Sequence, residues 1–251
     1  MSQNSNVIYS CIYGGYENLR EHEYREPDTD YVIFTDDPNM ESDFFDIRYV
    51  PCEDNMHGAR FHKRMKCMPH IWLKEYKTSV WLDANLRIIK PNYMEWVKDN
   101  SPNKSITLYK HFCLALRHRE CAYKELCESM LMHKYKHDKD RFLAQAEHYE
   151  DDGFPHEWGL YQSTFIYRHH DNEEVRKLCS FWWQQVMKYS KRFPQCQASL
   201  AYSLWKNEIK FDVFDNKKVW DTDDYDIFFH NPEVRGGDGK HYHAYKVDGK
   251  I

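Results

Sequence analysis

Apolar residues along the chain fall into short runs separated by polar turns, and the spacing within each run predicts strands that alternate with helices. Runs rich in β-branched and aromatic side chains, bounded by Gly, Pro, Asp or Asn, are typical of buried strands. Such runs predict six strands, over residues 7–13, 31–35, 79–82, 105–109, 163–168 and 210–214. The first two runs end in residues that favour turns, Gly14-Gly15 and Asp36-Asp37-Pro38.

Between these runs, apolar residues recur at i, i+3, i+4 and i+7, which is the spacing of amphipathic helices. This pattern predicts helices over residues 59–76, 120–133, 140–152, 172–187 and 197–207. Pro69 should kink or restart the first of them, and Gly153 suits the position just after the third. The alternation of strand and helix patterns favours an α/β fold.

The composition supports one folded unit. The chain has 251 residues, of which 41% are hydrophobic and 16% aromatic, enough to bury a sizeable core. No change in composition marks a linker, so we predict a single domain over residues 1–251. We expect residues 1–6 to be disordered, and residues 231–251, which contain several Gly and His residues, to form a mobile segment.

The charge and the cysteines narrow the functional classes. A formal net charge of −5 and a sequence pI near 6.3 argue against a nucleic-acid partner, which would require a broad basic surface. The 8 cysteines show no CxxC and no spacing typical of a metal knuckle or a disulfide scaffold, so we expect reduced, mostly buried thiols. The polar N-terminus and the lack of a long apolar run predict no transmembrane segment and a cytoplasmic location.

Asp83 and Asn85 follow the predicted strand 79–82 and are separated by one small residue. Because residues i and i+2 of an extended chain point to the same side, their side-chain oxygens could converge on one ion. One charged and one neutral oxygen suit Mg or Mn better than zinc, especially where the ion also binds a phosphate. The alternative is an ordinary turn between two strands, since Asp and Asn favour turns.

A basic cluster precedes this strand, with Arg60, Lys63, Arg64 and Lys66 close together in the sequence. The cluster is large enough to bind one diphosphate but small for a nucleic-acid duplex, and a solvated helix face is the alternative. In open α/β sheets, ligands bind beyond the carboxyl ends of the strands. The residues that follow the first two strands are therefore candidate contacts to a nucleotide base or ribose: Tyr13, Gly14 and Asp36.

Several segments, taken together in their order along the chain, resemble the motifs of a known protein family. The main ones are residues 8–16, residues 31–37, the basic run ending in Lys66-Cys-Met-Pro-His70, and residues 79–85; others lie at 110–111, 119–125, 153–160 and 182–183. In this order they resemble a glycosyltransferase-like family that includes plant mucilage-related proteins and proteins described as ceramidases, with bacterial and viral relatives. The resemblance covers roughly residues 7–230.

The resemblance implies a GT-A type fold, a Rossmann-like mixed sheet flanked by helices. It implies a metal-dependent glycosyltransferase, of hexosyl- or deoxyhexosyltransferase type, that moves a sugar from a nucleotide-diphosphate donor to a hydroxyl acceptor, with a glycan as the expected acceptor. Mn or Mg would bind through an Asp-x-Asp type motif, here Asp83-Ala-Asn85, and His230 is the first choice for a third ligand, before His243 and His241. With the strand ends and the basic cluster, the predicted donor contacts are Tyr13, Gly14, Asp36, Arg60, Lys66 and Asp83.

Two features leave the catalytic residues of the implied sugar transfer undetermined. Many relatives carry Arg-Asp-Gln before the last helix, where this chain has Gln195-Cys196-Gln197, so a carboxylate is missing. The sequence does not select a general base among the available carboxylates Glu120, Glu125, Asp151, Asp152 and Glu157.

The loop 153–162 could form a wall for the sugar or the acceptor, because aromatic rings stack on sugars, and a packed surface loop is the alternative. The candidate contacts there are Glu157, Gly159 and Gln162.

Two other functional classes remain open at this stage. A non-catalytic nucleotide-sugar or glycan-binding module is suggested by Asn85 and by the missing carboxylate at Cys196. A hydrolase is suggested by the relatives described as ceramidases, but the sequence has neither a Gly-x-Ser-x-Gly elbow nor an HExxH motif.

Overall fold

Strands and helices alternate through most of the chain, as the sequence pattern predicts. The structure, a computed structural model, describes residues 4–52, 58–103, 105–111, 120–190, 195–214 and 223–227. The strands in these residues are β1 (Asn6–Ile12), β2 (Thr29–Thr35), β3 (Asp46–Tyr49), β4 (Thr78–Leu82), β5 (Leu86–Ile88), β6 (Ile106–Lys110), β7 (Tyr161–His169), β8 (Asp212–Phe214) and β9 (Tyr225–Ile227). The helices are α1 (Gly58–Cys67), α2 (Pro69–Trp72), α3 (Tyr93–Asp99), α4 (Ala122–Leu131), α5 (Lys139–Asp151), α6 (Glu173–Lys188) and α7 (Cys196–Lys206).

A mixed sheet of 7 strands organises the fold, in the order β3-β2-β1-β4-β7-β6-β8. Strands β3, β2, β1 and β4 run parallel to one another, and β7 runs antiparallel to both β4 and β6. Strand β8 pairs parallel to β6, while β5 and β9 form a separate antiparallel pair. The predicted fold class, a mixed α/β sheet flanked by helices, is therefore confirmed.

Helices cover the sheet on both faces, because successive residues of a strand point to opposite sides. On one face, Val7, Tyr9 and Trp81 pack with residues of α1, α6 and α7. On the other face, Ile8 and Val80 pack with α3 and with the β5 and β9 pair. A third apolar cluster joins α4, α5 and α7. Burial on both faces explains why the parallel strands read as nearly continuous apolar runs in the sequence.

Most predicted elements are present, with ends that differ by a few residues. Pro69 begins α2 directly after α1 has ended, as its missing N–H group dictates. The pattern did not predict β3, α3, β5 and β9, which contain only 4, 7, 3 and 3 residues. Asn6 is the first residue of β1, and its side chain donates to the carbonyl of Asp28. Residues 231–251 lie outside the described part of the chain.

The segment from Asp83 to Leu86 is a turn, and the expected extended geometry of Asp83 and Asn85 is wrong. The Leu86 N–H donates to the Asp83 carbonyl at 2.9 Å, which closes the turn between β4 and β5. The alternative that the sequence left open, a turn between two strands, is the one that the structure contains. Turn backbone removes the i, i+2 argument for these two side chains, because that argument holds only along an extended chain.

The cysteines that the structure describes are all free thiols, as predicted. Five of them are buried, Cys52 is partly buried and Cys127 is exposed. The packing of the five buried thiols explains the lack of any regular spacing, since each of them fills a place in the core on its own. In the described residues, no helix combines the length and the apolar character that a membrane span requires.

Gly153 ends α5 in a Schellman motif, and we expect Gly153→Ala to lower the free energy of unfolding by about 1 kcal/mol. Its N–H and that of Phe154 donate to the carbonyls of Glu150 and Tyr149, both at 2.9 Å. Gly153 has φ of 78°, and a methyl group there would touch nothing within 4 Å, so the cost is conformational. Urea denaturation of the parent and the variant measures this difference in the free energy of unfolding.

The matched control for that measurement is Gly58→Ala, at the start of α1. A methyl group on Gly58 would lie 3.8 Å from Tyr13 Cβ, which is an ordinary contact. Because alanine is the better helix former, this variant should be neutral or slightly more stable than the parent. Equal losses at both positions would show that the positive φ of Gly153 has no energetic consequence.

Candidate functional site

The loops that follow the parallel strands meet at one edge of the sheet. The Val50 N–H donates to the Thr35 carbonyl at 2.8 Å, and Tyr13 Oη donates to the Val50 carbonyl at 3.0 Å. These bonds join the loops after β1, β2 and β3, and Gly58 places the start of α1 beside them. Ligands of α/β sheets bind at this edge, beyond the carboxyl ends of the strands.

Two of the predicted nucleotide contacts, Gly14 and Asp36, touch each other. The Gly14 N–H donates to Asp36 Oδ1 at 2.8 Å and to Oδ2 at 3.1 Å, across the ends of β1 and β2. Gly14 has φ of 62°, a conformation in which glycine carries no Cβ penalty. Tyr13, the third candidate, is buried, and its ring packs 5.3 Å from that of Phe61. The structure therefore exposes Gly14 at this edge and commits Tyr13 to packing and to the Val50 bond.

Asp83 lies just past the end of β4, and two donors hold one of its oxygens. Lys66 Nζ and Trp81 Nε1 both donate to Asp83 Oδ1 at 2.9 Å. Lys66 Nζ also lies 5.2 Å from the centre of the Trp81 ring, within cation–π range. The Lys66 side chain is 1% exposed and that of Asp83 is 28% exposed. The ion pair is thus closed on the lysine side and open to solvent on the aspartate side.

The four basic residues of α1 do not act as one patch. Arg60 Nη2 lies 3.2 Å from Met187 Sδ on α6, and the Arg64 guanidinium lies 5.5 Å from the Trp72 ring centre. Lys63 and Lys66, three residues apart and therefore on one side of the helix, both act on the charge of Asp83. Arg60 was predicted to bind the donor together with Lys66. Its guanidinium instead contacts Met187 on α6, whereas the Lys66 ammonium contacts Asp83.

The lysines set the protonation of the groups around them. Burial acts to raise the pKa of Asp83, but Lys66 and Lys63 outweigh it, so this pKa lies below its ordinary value. The same lysines lower the pKa of the Cys196 thiol against the opposing effect of burial. Cys196 Sγ lies 3.4 Å from Ser163 Oγ, and Cys196 is the first residue of α7, where the helix dipole favours negative charge.

A buried arginine anchors the backbone of Lys66. Arg168 on β7 is fully buried, and its Nη1 donates to the Lys66 carbonyl at 2.7 Å. Its Nη2 donates to Tyr9 Oη at 2.5 Å, and Tyr9 Oη in turn lies 3.3 Å from the Met65 carbonyl. A cation at the C-terminal end of a helix is favoured by the helix dipole. These bonds fix the last turn of α1, and so fix the position from which the Lys66 side chain reaches Asp83.

The described residues do not by themselves form the predicted divalent-cation site. Asp83 Oδ1 already accepts from an ammonium group and an indole N–H, and Asn85 is only 7% exposed in the turn. In the part of the chain that the structure describes, no three His, Cys, Asp or Glu side chains come together as a metal site requires. His230, the preferred third ligand, lies outside the described residues, as do His241 and His243. The metal therefore stays a prediction.

The candidate acceptor residues occupy different environments in the loop before β7. Glu157 is exposed, whereas Gln162 is 2% exposed and its amide oxygen has no hydrogen-bond partner within the described residues. Gly159 has φ of 109°, and a methyl group there would lie 3.3 Å from Tyr161 Oη. The loop thus contains one residue that must be glycine and one buried amide. The role of these three residues stays a prediction.

The carboxylates that could act as a base are mostly committed elsewhere. Glu120 pairs with Lys124 at 3.0 Å, and Asp152 accepts from Tyr202 at 2.6 Å and pairs with Lys206 at 2.7 Å. Glu125 is buried on α4, where it accepts a hydrogen bond from Gln195. The other two, Asp151 and Glu157, are exposed.

Sequence reasoning missed Trp81 and Cys196 as members of the site. The signal for Trp81 was available, since it lies two residues before Asp83 at the end of the same strand and so shares its face. Cys196 was noted only as the replacement of an expected Asp, and its position beside the lysines depends on contacts between distant segments. The segment Gln195-Cys196-Gln197 still binds its neighbours, because Gln195 caps α7 and the Ser163 N–H lies 3.4 Å from Gln197 Oε1.

Comparison with known proteins gives a similarity in structure only. No protein-family model and no curated protein matches the sequence. Among solved structures, the mannosyltransferase Ktr4p from S. cerevisiae is similar, with a TM-score of 0.38 and 12% identity over 80% of this chain and 66% of that chain. The same mannosyltransferase in complex with GDP gives a TM-score of 0.41 and 11% identity over the same shares. This chain thus spans about two thirds of the length of that mannosyltransferase. The glycosyltransferase-like family that the sequence motifs resemble is not supported by these comparisons.

Proposed function

We propose that this protein is a glycosyltransferase that moves a sugar from a nucleotide-diphosphate donor to a hydroxyl group, with a glycan as acceptor. The observation that supports the proposal is the Lys66–Asp83 pair, held by Trp81 and Arg168 at the carboxyl end of a central parallel strand. Buried lysines are rare unless they are paired, and this one is paired with a partly exposed aspartate at the ligand-binding edge of the sheet. A polyanionic ligand bound beside the exposed aspartate would lie close to this fixed positive charge.

The arrangement suggests how a donor would lie. The nucleoside would extend over the ends of β1 and β2, where Gly14 and Asp36 offer an N–H group and a carboxylate. Its diphosphate would then reach Asp83 and the lysines at the end of β4. In sugar transfer the bond between sugar and phosphate breaks and negative charge grows on the diphosphate, so fixed ammonium groups there stabilise the transition state.

The test is a panel of nucleotides followed by an assay of turnover. Binding of GDP, UDP, ADP and CDP is measured by calorimetry, and release of nucleotide from the matching hexose and deoxyhexose donors is then followed. We expect one base to bind more tightly than the others, and its sugar donor to release nucleotide faster when sugar acceptors are added. Failure of every nucleotide and every donor, with or without Mg or Mn, would contradict the proposal.

A non-catalytic nucleotide-sugar-binding module is the second candidate, and the observation that favours it is Cys196. The position that carries a carboxylate in the resembled family holds a buried thiol beside Lys63 here. The same assay separates the two candidates, because a module would bind the nucleotide and its donor without releasing a sugar. Turnover of a glycosidic or amide substrate without any nucleotide would instead indicate a hydrolase.

A further inference from the structure

Lys66 already supplies a positive charge at the end of β4, where the predicted site would place a divalent cation. Its ammonium group lies 2.9 Å from Asp83 Oδ1, and the Trp81 N–H occupies the same oxygen at the same distance. A metal that used this oxygen would have to displace a lysine that is 1% exposed and has no solvent to receive its charge.

The charge around Asp83 also argues against a second cation. Lys63 lies on the same side of α1 as Lys66, and both lysines act on the Asp83 carboxylate. Lys66 contacts this carboxylate at 2.9 Å, and Lys63 adds to its effect from the same side of the helix. A divalent cation would be repelled by both lysines, whereas a diphosphate would be attracted by them.

Lys66 has the fixed position that a substitute for a metal needs. The carbonyl of Lys66 accepts from buried Arg168 at 2.7 Å, and its side chain lies over the Trp81 ring. The ring of His62 stacks on the same Trp81, 5.6 Å away, which closes the lysine side of the pair. A charge held in this way costs little reorganisation when an anion arrives.

We propose that Lys66, held against Asp83, takes the place of the metal and that Lys63, which is partly exposed, binds the diphosphate of the donor, so that donor binding needs no divalent cation. The inference rests on the proposed function and differs from the sequence-based expectation of Mn or Mg. Asp83 then acts as a positioning residue for Lys66, and its exposed side borders the place where the diphosphate binds.

The first test uses the unaltered protein. Calorimetric titrations with GDP, UDP, ADP and CDP are run in EDTA and again in excess MgCl₂ and MnCl₂. We expect the affinity of the best nucleotide to differ by less than about fivefold between the buffers. A gain of more than about fivefold with either metal would overturn this inference and leave the proposed transferase intact. Absence of binding in all buffers would contradict the proposed function itself.

The second test removes a charge without touching the ion pair. Lys63→Met leaves the Lys66–Asp83 bond in place, so it should fold, which circular dichroism checks. In EDTA it should bind the best nucleotide roughly 10- to 100-fold more weakly, the usual loss for a hydrogen bond to a charged group. The matched control is Lys74→Met at an exposed position, which should bind as the parent does. Parental affinity in Lys63→Met would overturn the inference.

Discussion

Under the proposed function, Asp83→Ala is expected to reduce sugar transfer by roughly 100-fold or more, which is the largest functional effect that the proposal predicts. Without the carboxylate, the Lys66 ammonium loses its ion pair and the Trp81 N–H loses its acceptor. The lysine would then lose the bond that holds its ammonium group in place at the end of β4. Nucleotide release from the donor, measured with saturating acceptor, gives the size of the effect.

The variant also tests stability, because Lys66 stays buried after its partner is removed. We expect a loss on the order of 2 kcal/mol, less than for a fully buried pair because Asp83 is 28% exposed. Asp83→Asn is the matched control, since it keeps the shape and one acceptor oxygen but removes the charge. It should retain more stability than Asp83→Ala while transfer stays low. Transfer at the parental rate in either variant would show that this carboxylate has no part in the reaction.

The central part of the fold could be predicted from the sequence because its elements carry strong local signals. Strands β1, β2 and β4 are apolar runs that end in turn residues, and α6 has an apolar stripe with Asn172 as its cap. Strand β3 has no such signal, because all four of its residues are exposed or partly exposed at the sheet edge. Strands β5 and β9 are too short for any pattern, and they form through pairing with each other and packing against distant residues of the core.

The site could be predicted only as far as local spacing extends. Lys63 and Lys66 are three residues apart on a predicted helix, and Asp83 follows a predicted strand. The contact of Lys66 with Arg168 joins positions 102 residues apart, so no local pattern contains it. The same holds for Arg60, whose turn toward α6 follows from helix packing and not from its place in the basic run. The spacing therefore predicted which basic and acidic residues were candidates. Which of these candidates lie close together is determined by the packing of distant segments.

The protein should lose much of its stability between pH 6.5 and pH 5, because several histidines are buried in neutral form. Burial, with a smaller effect from Arg87, lowers the pKa of His22 to about 3. Burial, with Arg168 and His70 adding to it, lowers the pKa of His170 to about 3 as well. Both rings take up a proton readily only in the unfolded chain, whose histidine pKa is about 6.5. Stability is then complete above pH 6.5 and falls as the pH decreases below it.

The size of this effect makes it the largest expected change in stability. At pH 5, about 1.5 units below the unfolded pKa, each of these two histidines costs about 2 kcal/mol. Together they would remove about 4 kcal/mol, a large part of the 5–15 kcal/mol typical of folded proteins. Urea denaturation at pH 7 and at pH 5 measures the loss.

His22→Asn isolates one of these histidines. His22 Nδ1 accepts from the Ile88 N–H at 3.2 Å, and an asparagine oxygen can accept the same bond without a titrating ring. The difference in unfolding free energy between pH 7 and pH 5 should therefore shrink by about 2 kcal/mol. His156→Asn, on the exposed surface, is the matched control and should keep the parental difference. If His22→Asn also shows the parental difference between pH 7 and pH 5, the ring of His22 must take up its proton in the folded protein. The loss of stability in acid must then come from other groups.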